Sequence, residues 1–305
     1  MSVEEMKRQF LEYTEIERGR AVKTIENYDH YLTVFFDQMK ITDVHDISEP
    51  KIREFRLWLN RQKGTGTDTM KRRTQNYYLI ALRAFLKFLR KRGIEGLNPE
   101  RIELAKLPER HIEIITTQEL NRLLRAPKEA AEKESDEYKK GCYLRDAAIL
   151  ELFFSTGLRV AELCALNADI DLTREDLSVR GKGEKVRVVF LSDESKNAVK
   201  AYLKSRKDME EALFIDGTRN KPRRIIPRDI QRHIKTYSAL AGITNKVTPH
   251  TLRHVFATDL LSNGADIRSV QALLGHASIN TTQIYTHVTD SHLREVHKRF
   301  HSQGR

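Results

Sequence analysis

The sequence predicts a mainly α, two-domain protein: an all-α N-terminal domain over residues 1–107 and a C-terminal α+β domain over 112–305 that carries one small β-hairpin. Three observations predict it. Apolar residues recur at helical spacing through most of the chain. From Gly93 to about Glu113 that period is lost and Pro99 and Pro108 appear, as in an interdomain linker. A single pair of β-rich runs flanks a glycine-rich tip. A length of 305 residues leaves each half enough chain to bury a core.

The N-terminal elements follow in order. Residues 3–39 read as two helices broken at Gly19, with Phe10, Tyr13 and Ile16 on the first and Ile25, Tyr28, Leu32, Phe35 and Phe36 on the second. Ser48 and Pro50 open a third over 48–62, whose apolar set is Ile52, Phe55, Leu57, Trp58 and Leu59. The polar run Gly64-Thr65-Gly66-Thr67 ends it. A long fourth helix, about 68–92, puts Tyr78, Leu82, Phe85, Leu86 and Leu89 on one face and Arg83, Lys87, Arg90 and Lys91 in a basic stripe.

The second domain begins after a boundary near 107–112. Thr116-Thr117-Gln118-Glu119 has the spacing of a capping box and starts a helix expected to end near Pro127, with the charged stretch Lys128 to Lys140 as a loop. A helix over 142–156 reaches Gly157, and a short helix follows. Leu177-Ser178-Val179-Arg180 and Val186-Arg187-Val188-Val189-Phe190-Leu191 flank Gly181-Lys182-Gly183-Glu184 as a hairpin. Helices then return at about 193–206, 227–241, 249–262, 266–274, 279–286 and 290–300.

Composition narrows what such a protein does. Lys and Arg number 54 against 43 Asp and Glu, a net charge of +11, which favours a polyanionic partner such as nucleic acid. Both halves are basic, so the excess is not confined to a tail. No window approaches the roughly 18 apolar residues of a membrane span, and Met1-Ser2-Val3-Glu4-Glu5 lacks the basic-then-apolar order of a signal peptide. Cys142 and Cys164 are too few for a disulfide framework, so a reducing, cytoplasmic setting without membrane attachment is expected.

Four constellations carry chemistry. In Ser155-Thr156-Gly157-Leu158-Arg159-Val160-Ala161-Glu162, an arginine follows a glycine break at the start of a helix, where anions are favoured; the plain alternative is a surface arginine paired with Glu162. The hairpin tip presents Lys182 between two glycines, with Lys185 and Arg187 beyond it; a lysine among cations can have its pKa lowered far enough to donate a proton, and the plain alternative is a tight turn with solvated charges. Thr248-Pro249-His250-Thr251-Leu252-Arg253-His254 opens a helix with His250, Arg253 and His254 on one face. Histidines four apart can bind zinc, but Thr251 stands where a metalloprotease helix needs Glu, and cations converging on a phosphate suit the charge balance better. Last, Leu273-Leu274-Gly275-His276 releases a histidine after a helix-ending glycine, and Tyr285 follows nine residues later. A phenol becomes a usable nucleophile only beside a base or several cations.

Arg159 in Thr-Gly-Leu-Arg, Lys182 on the Gly-Lys-Gly hairpin, His250 and Arg253 in His-x-x-Arg, His276 in Leu-Leu-Gly-His, and Tyr285, in that order, resemble the tyrosine recombinase (phage integrase) family, and more narrowly its Xer-type members. The N-terminal helices resemble that family's core-binding domain, so the likeness covers nearly the full length. Ala161 departs from the Ser that many members carry before the Glu. The resemblance implies two transesterifications without metal, nucleotide or other cofactor. Tyr285 would be the nucleophile forming a 3′-phosphotyrosyl link, and Arg159, Arg253 and His276 would stabilise charge on the phosphate. Lys182 would protonate the leaving 5′-oxygen, His250 would serve proton transfer at Tyr285, and Glu162 would orient neighbouring side chains.

The implied partner is a double-stranded DNA target, clamped between two domains. Arg83, Lys87 and Arg90 in one domain and Arg223, Arg224 and Arg228 in the other are the candidate DNA contacts, within a wider cluster of Arg219, Lys221, Arg232 and Lys235. Leu293, Val296 and Phe300 on helix 290–300 make a narrow apolar face. The resemblance implies that this helix docks in a neighbouring protomer, giving a homo- or hetero-tetramer on two duplexes, with an accessory activator as a further partner. The expected role is resolution of chromosome or plasmid dimers. The alternatives are an integrase of a phage or mobile element, a type IB topoisomerase, and an architectural DNA-binding protein without catalysis. The chain begins directly at the helical domain, as expected of the simpler Xer type.

Overall fold

The computed structural model describes residues 1–64, 69–107, 115–181, 186–218 and 221–275. The chain divides into two compact units, Met1–Arg110 and His111–Arg305, with an α-rich fold and two small antiparallel sheets.

The first unit packs α1 (Val3–Ile16), α2 (Val22–Met39), α3 (Glu49–Arg61) and α4 (Arg72–Lys91) by their apolar faces. Phenylalanines are the largest fully buried side chains of the core: Phe35, Phe55, Phe85 and Phe88. The Phe10 and Phe85 rings meet edge to face at 5.6 Å, and Phe35 and Phe55 do so at 4.9 Å, geometries that the ring quadrupoles favour. The stretch after α4 is not loose. Asn76, only 6% exposed, accepts from Ala105 N at 3.0 Å and donates to Ala105 O at 2.9 Å, which pins this segment back onto α4.

In the second unit, the predicted box at Thr116 is present: Glu119 N donates to Thr116 Oγ1 at 3.2 Å and Thr116 N to Glu119 Oε2 at 2.8 Å. The helix it opens does not end near Pro127. α5 runs Thr117–Lys133 straight through that proline, and α6 (Glu137–Thr156) starts after a break of only three residues, so most of 128–140 is helix and not loop. A proline in a helix interior costs roughly 3 kcal/mol. Here Leu120, Leu123, Leu124, Pro127 and Ala131 form one buried stripe against the core, and Lys128 pairs with buried Glu151 of α6 at 2.5 Å. Asp136 then caps α6 by accepting from Tyr138 N and Lys139 N.

α6 is the central helix, buried continuously from Arg145 to Phe153. Its three charged residues in that run are all matched, Glu151 by Lys128 and the other two in a network. Arg145 donates to Asp146 Oδ1, Asp216 Oδ1 and Ile215 O at 2.8, 2.8 and 2.9 Å, and Tyr237 OH donates to Asp146 Oδ2 at 2.9 Å. This network ties two later elements to α6: β3 (Ile215–Thr218) and α9 (Pro227–Leu240).

The expected hairpin is formed by β1 (Asp176–Arg180) and β2 (Val186–Phe190), paired antiparallel with Val179 opposite Arg187. A second hairpin, β3 with β4 (Lys221–Arg224), was not expected, because Ile-Asp-Gly-Thr and Lys-Pro-Arg-Arg show no apolar alternation. It is held from outside, by Arg145 and by Tyr138 OH donating to Gly217 O at 3.0 Å. The remaining helices are α7 (Val160–Cys164), α8 (Asp193–Ser205), α10 (Pro249–Ser262) and α11 (Ile267–Leu274). The expected helices 279–286 and 290–300 lie outside the described residues. Among those described, no helix is long and apolar enough to cross a membrane.

Candidate functional site

The site is assembled where α6 ends. Gly157 terminates α6 in the left-handed conformation, with φ +58°, and a Cβ there would lie 2.4 Å from Phe256 Cδ1, so glycine is required on both counts. The turn places Arg159 at the start of α7. α7 is only five residues long, and its first amide is answered internally: Arg159 N donates to Glu162 Oε2 and Arg159 Nη1 to Glu162 Oε1, both at 2.8 Å. The helix start therefore serves Glu162, and the Arg159 side chain, one-third exposed, is the part that faces outward.

α10 supplies the second arginine. Thr248 caps it, with Thr251 N donating to Thr248 Oγ1 at 3.2 Å, and Pro249 takes its first position. His250 is exposed in the first turn, whereas Arg253 and His254, one turn on, are 4% and 3% exposed. Arg253 donates from Nη1 to Gly157 O and from Nη2 to Leu274 O. Among the described residues, no three His, Cys, Asp or Glu side chains group as a metal site.

α11 ends at Gly275, again left-handed with φ +61°. Its last carbonyls carry the negative end of the helix dipole, and each of the final three accepts from a different arginine. Leu273 O accepts from Arg187 Nε at 2.9 Å, Leu274 O from Arg253 Nη2, and Gly275 O from Arg159 Nη2 at 2.9 Å. Arg159 and Arg253, over 90 residues apart in sequence, are thus brought onto adjacent peptide units immediately before His276.

Glu162 balances this cluster. It is buried at 6% exposure, and Arg187 grips it with Nη1 to Oε1 at 2.8 Å and Nη2 to Oε2 at 2.7 Å. Burial alone would raise its pKa, but the Arg187 fork and the Arg159 amide and guanidinium bring it down to about 2. The carboxylate therefore stays charged at any working pH. Three guanidiniums against one carboxylate leave a focused positive charge, of which Arg159 is the accessible part.

Lys182, His276, Tyr285, helix 290–300 and Arg219 lie outside the described residues. The candidate DNA contacts are placed unequally. Arg83 and Lys87 both reach Glu100, at 2.7 and 2.9 Å, and Arg90 is exposed beyond them. Arg223 pairs with Asp229 at 2.7 Å and Arg228 is exposed. Arg224 turns inward and ties β4 to the end of α7, through Cys164 O at 3.1 Å, Leu166 O at 2.9 Å and Asn167 Oδ1 at 2.7 Å. Its alternation with exposed Arg223 on a strand is the reason, because one of two adjacent strand residues must face the protein.

The sequence groups Arg187 with Lys182 and Lys185 as the cations of the hairpin tip, whereas the structure places it inside the cluster. The apolar alternation gave no signal for this: it puts Val186, Val188 and Phe190 on one strand face, which the structure leaves exposed, whereas Arg187 lies on the face of Val189, which is 1% exposed.

The phage integrase family model matches residues 113–292, and the model of the phage integrase N-terminal SAM-like domain matches residues 8–93. The tyrosine recombinase XerC of Thermodesulfovibrio yellowstonii is 37% identical over 302 residues, covering 96% of this chain and 94% of the relative. The tyrosine recombinase XerA of Pyrococcus furiosus is 36% identical over 299 residues, covering 97% and 93%. Among solved structures, a crystal structure of XerA recombinase matches with a TM-score of 0.53 at 33% identity over 99% of both chains. The XerH site-specific recombinase bound to a palindromic difH substrate, in a post-cleavage complex, matches with a TM-score of 0.69 over 97% of this chain and 85% of that one; at 21% identity it speaks for the fold.

Proposed function

The chain belongs to the phage integrase family of tyrosine recombinases, and from that membership we propose that it is a site-specific DNA recombinase of the Xer type, resolving chromosome or plasmid dimers in the cytoplasm. One observation above all supports the reading: Arg159 and Arg253 converge on adjacent carbonyls at the end of α11, directly before His276. Two arginines so held suit the non-bridging oxygens of a single phosphate.

In the proposed reaction the Tyr285 oxygen attacks the scissile phosphorus, a P–O bond to the phenol forms, and the bond to the 5′-oxygen breaks. Lys182 gives the leaving oxygen its proton and His250 takes the proton of the phenol. Arg159, Arg253 and His276 meet the charge that develops on the phosphate, where loss of one such contact costs about 10²–10³ in rate. Glu162 holds Arg159 in place. A 5′-hydroxyl from the partner duplex then attacks the phosphotyrosine and releases Tyr285. The phosphodiester energy is retained in the covalent link, so no step calls for a metal or nucleotide.

Two duplexes require a tetramer, homo- or hetero-, and helix 290–300 is the segment proposed to join protomers, with an accessory activator acting on the assembly. The proposed DNA grip uses Arg83, Lys87, Arg90, Arg223 and Arg228 on phosphates, with Arg224 acting by fixing β4. Trapping on a nicked suicide duplex tests the reading. The wild type is expected to form a covalent adduct that Tyr285→Phe does not; an adduct that persists in the variant overturns the nucleophile.

A further inference from the structure

We propose that Arg187 is a positioning residue for strand cleavage, locking Glu162, and through it Arg159, in register with the end of α11. The inference rests on the recombinase reading above and adds to it a residue from the β-hairpin.

The placement of Arg187 is costly unless it is used. It lies on the inner face of β2, opposite Val179, which is 3% exposed, and two residues from Val189, which is 1% exposed. Taking a guanidinium out of water carries a penalty of several kcal/mol unless its donors are matched. They are: the two Nη atoms fork onto Glu162 at 2.8 and 2.7 Å and Nε donates to Leu273 O at 2.9 Å. The Glu162 carboxylate already matches the charge of Arg187, whereas Arg253 donates to neutral carbonyls, so Arg187 is not arranged to take a phosphate itself. Its effect passes through what it holds.

What it holds is shared. The Glu162 oxygens gripped by Arg187 are those that accept from Arg159 Nη1 and Arg159 N. The stem of Arg187 also seats the end of α11, because a Cβ at Gly275 would fall 2.9 Å from Arg187 Cδ. One side chain therefore joins its own hairpin, which carries Lys182 in sequence, to the two segments that carry Arg159 and His276. A lysine at this position keeps the charge but lacks the planar fork, and cannot grip two oxygens and a carbonyl at once.

The test uses the full-length protein with Arg187→Gln, Arg187→Lys, Glu162→Gln and the double variant Arg187→Gln/Glu162→Gln. Duplex binding and the rate of covalent adduct formation on a nicked suicide substrate are measured from pH 5 to 9. Binding is expected to stay close to wild type, because no phosphate contact is removed. Adduct formation is expected to fall about 10²-fold in both Arg187 variants, the loss typical of a reacting group displaced by about 1 Å. The double variant is expected to be no slower than Arg187→Gln, since the two residues act as one unit. Arg187→Gln is also expected to lose rate on the acid side, where a buried Glu162 deprived of its fork takes up a proton; the wild type and the double variant show no such limb.

Parallel loss of binding and cleavage, additive losses in the double variant, or wild-type cleavage by Arg187→Gln would each overturn the inference. If Arg187→Gln does not fold, Arg187→Lys carries the same binding and rate measurements. Absence of any adduct with the wild-type protein would instead overturn the recombinase reading on which the inference rests.

Discussion

Replacing Glu162 by glutamine keeps the shape of the side chain and removes its charge, leaving Arg187 and Arg159 facing a neutral oxygen and an extra donor. In the native fold the carboxyl is held at about 2 against an ordinary 4.5; burial opposes this, and the Arg187 fork with the Arg159 contacts overcomes it. A depression of that size corresponds to about 3 kcal/mol of folding stability. Because the folded state binds this proton more weakly than the unfolded chain, the stabilisation is complete above about pH 5 and is lost as the pH falls toward 2. Urea unfolding of the full-length wild type and Glu162→Gln, followed by a probe in the C-terminal unit, reads it directly. The expected gap is about 3 kcal/mol at pH 7, narrowing by about 1.4 kcal/mol at pH 3.5. A gap that stays constant over that range, or one at pH 7 no larger than the about 1 kcal/mol of an exposed ion pair, refutes the reasoning.

Gly157→Ala should be costly for two independent reasons. The left-handed backbone penalises a Cβ by about 1–2 kcal/mol, and the added methyl meets Phe256 Cδ1 at 2.4 Å and Cε1 at 2.7 Å, an overpacking worth about 1–3 kcal/mol more. A thermal midpoint for the C-terminal unit within 2 °C of wild type, to within the roughly 2–4 °C expected per kcal/mol, would contradict both. Asn76→Ala strands the amide and carbonyl of Ala105 and should destabilise the N-terminal unit by about 1–3 kcal/mol. Asn76→Asp, which keeps the acceptor for Ala105 N, should recover part of that in the same denaturant titration; equal loss in both variants would show that the bond from Ala105 N contributes nothing.

The parts of the fold legible in the sequence are those governed by one local rule. The four N-terminal helices show through their 3.6-residue apolar period, and the capping box at Thr116 and the N-cap at Thr248 show through the residues that make them. Pro127 misled because the local rule for proline lost to tertiary packing. The stripe that continues through it to Ala131 was in the pattern, but its weight depends on what α6 presents opposite. β3 and β4 were illegible for the same reason, being held by Arg145 and Tyr138 from another element. At the site, Gly157, Arg159, Glu162 and Arg253 could each be named from short motifs. Their common meeting point on the α11 carbonyls could not, since it is a property of three segments brought together by the fold.

That meeting point constrains how the chain can change in length. Successive helical residues advance by about 1.5 Å and turn by about 100°, which sets Leu273 O and Leu274 O, and the left-handed cap then sets Gly275 O, so each addresses its arginine from a fixed direction. A single residue inserted or deleted within α11 would rotate all three acceptors together and leave none aimed at its partner. Substitutions on the exposed face of α11 should therefore be tolerated freely, while a change of one residue in its length should be as damaging as loss of an arginine. α11 is in this sense a ruler: its length, more than its surface, is what the three arginines read.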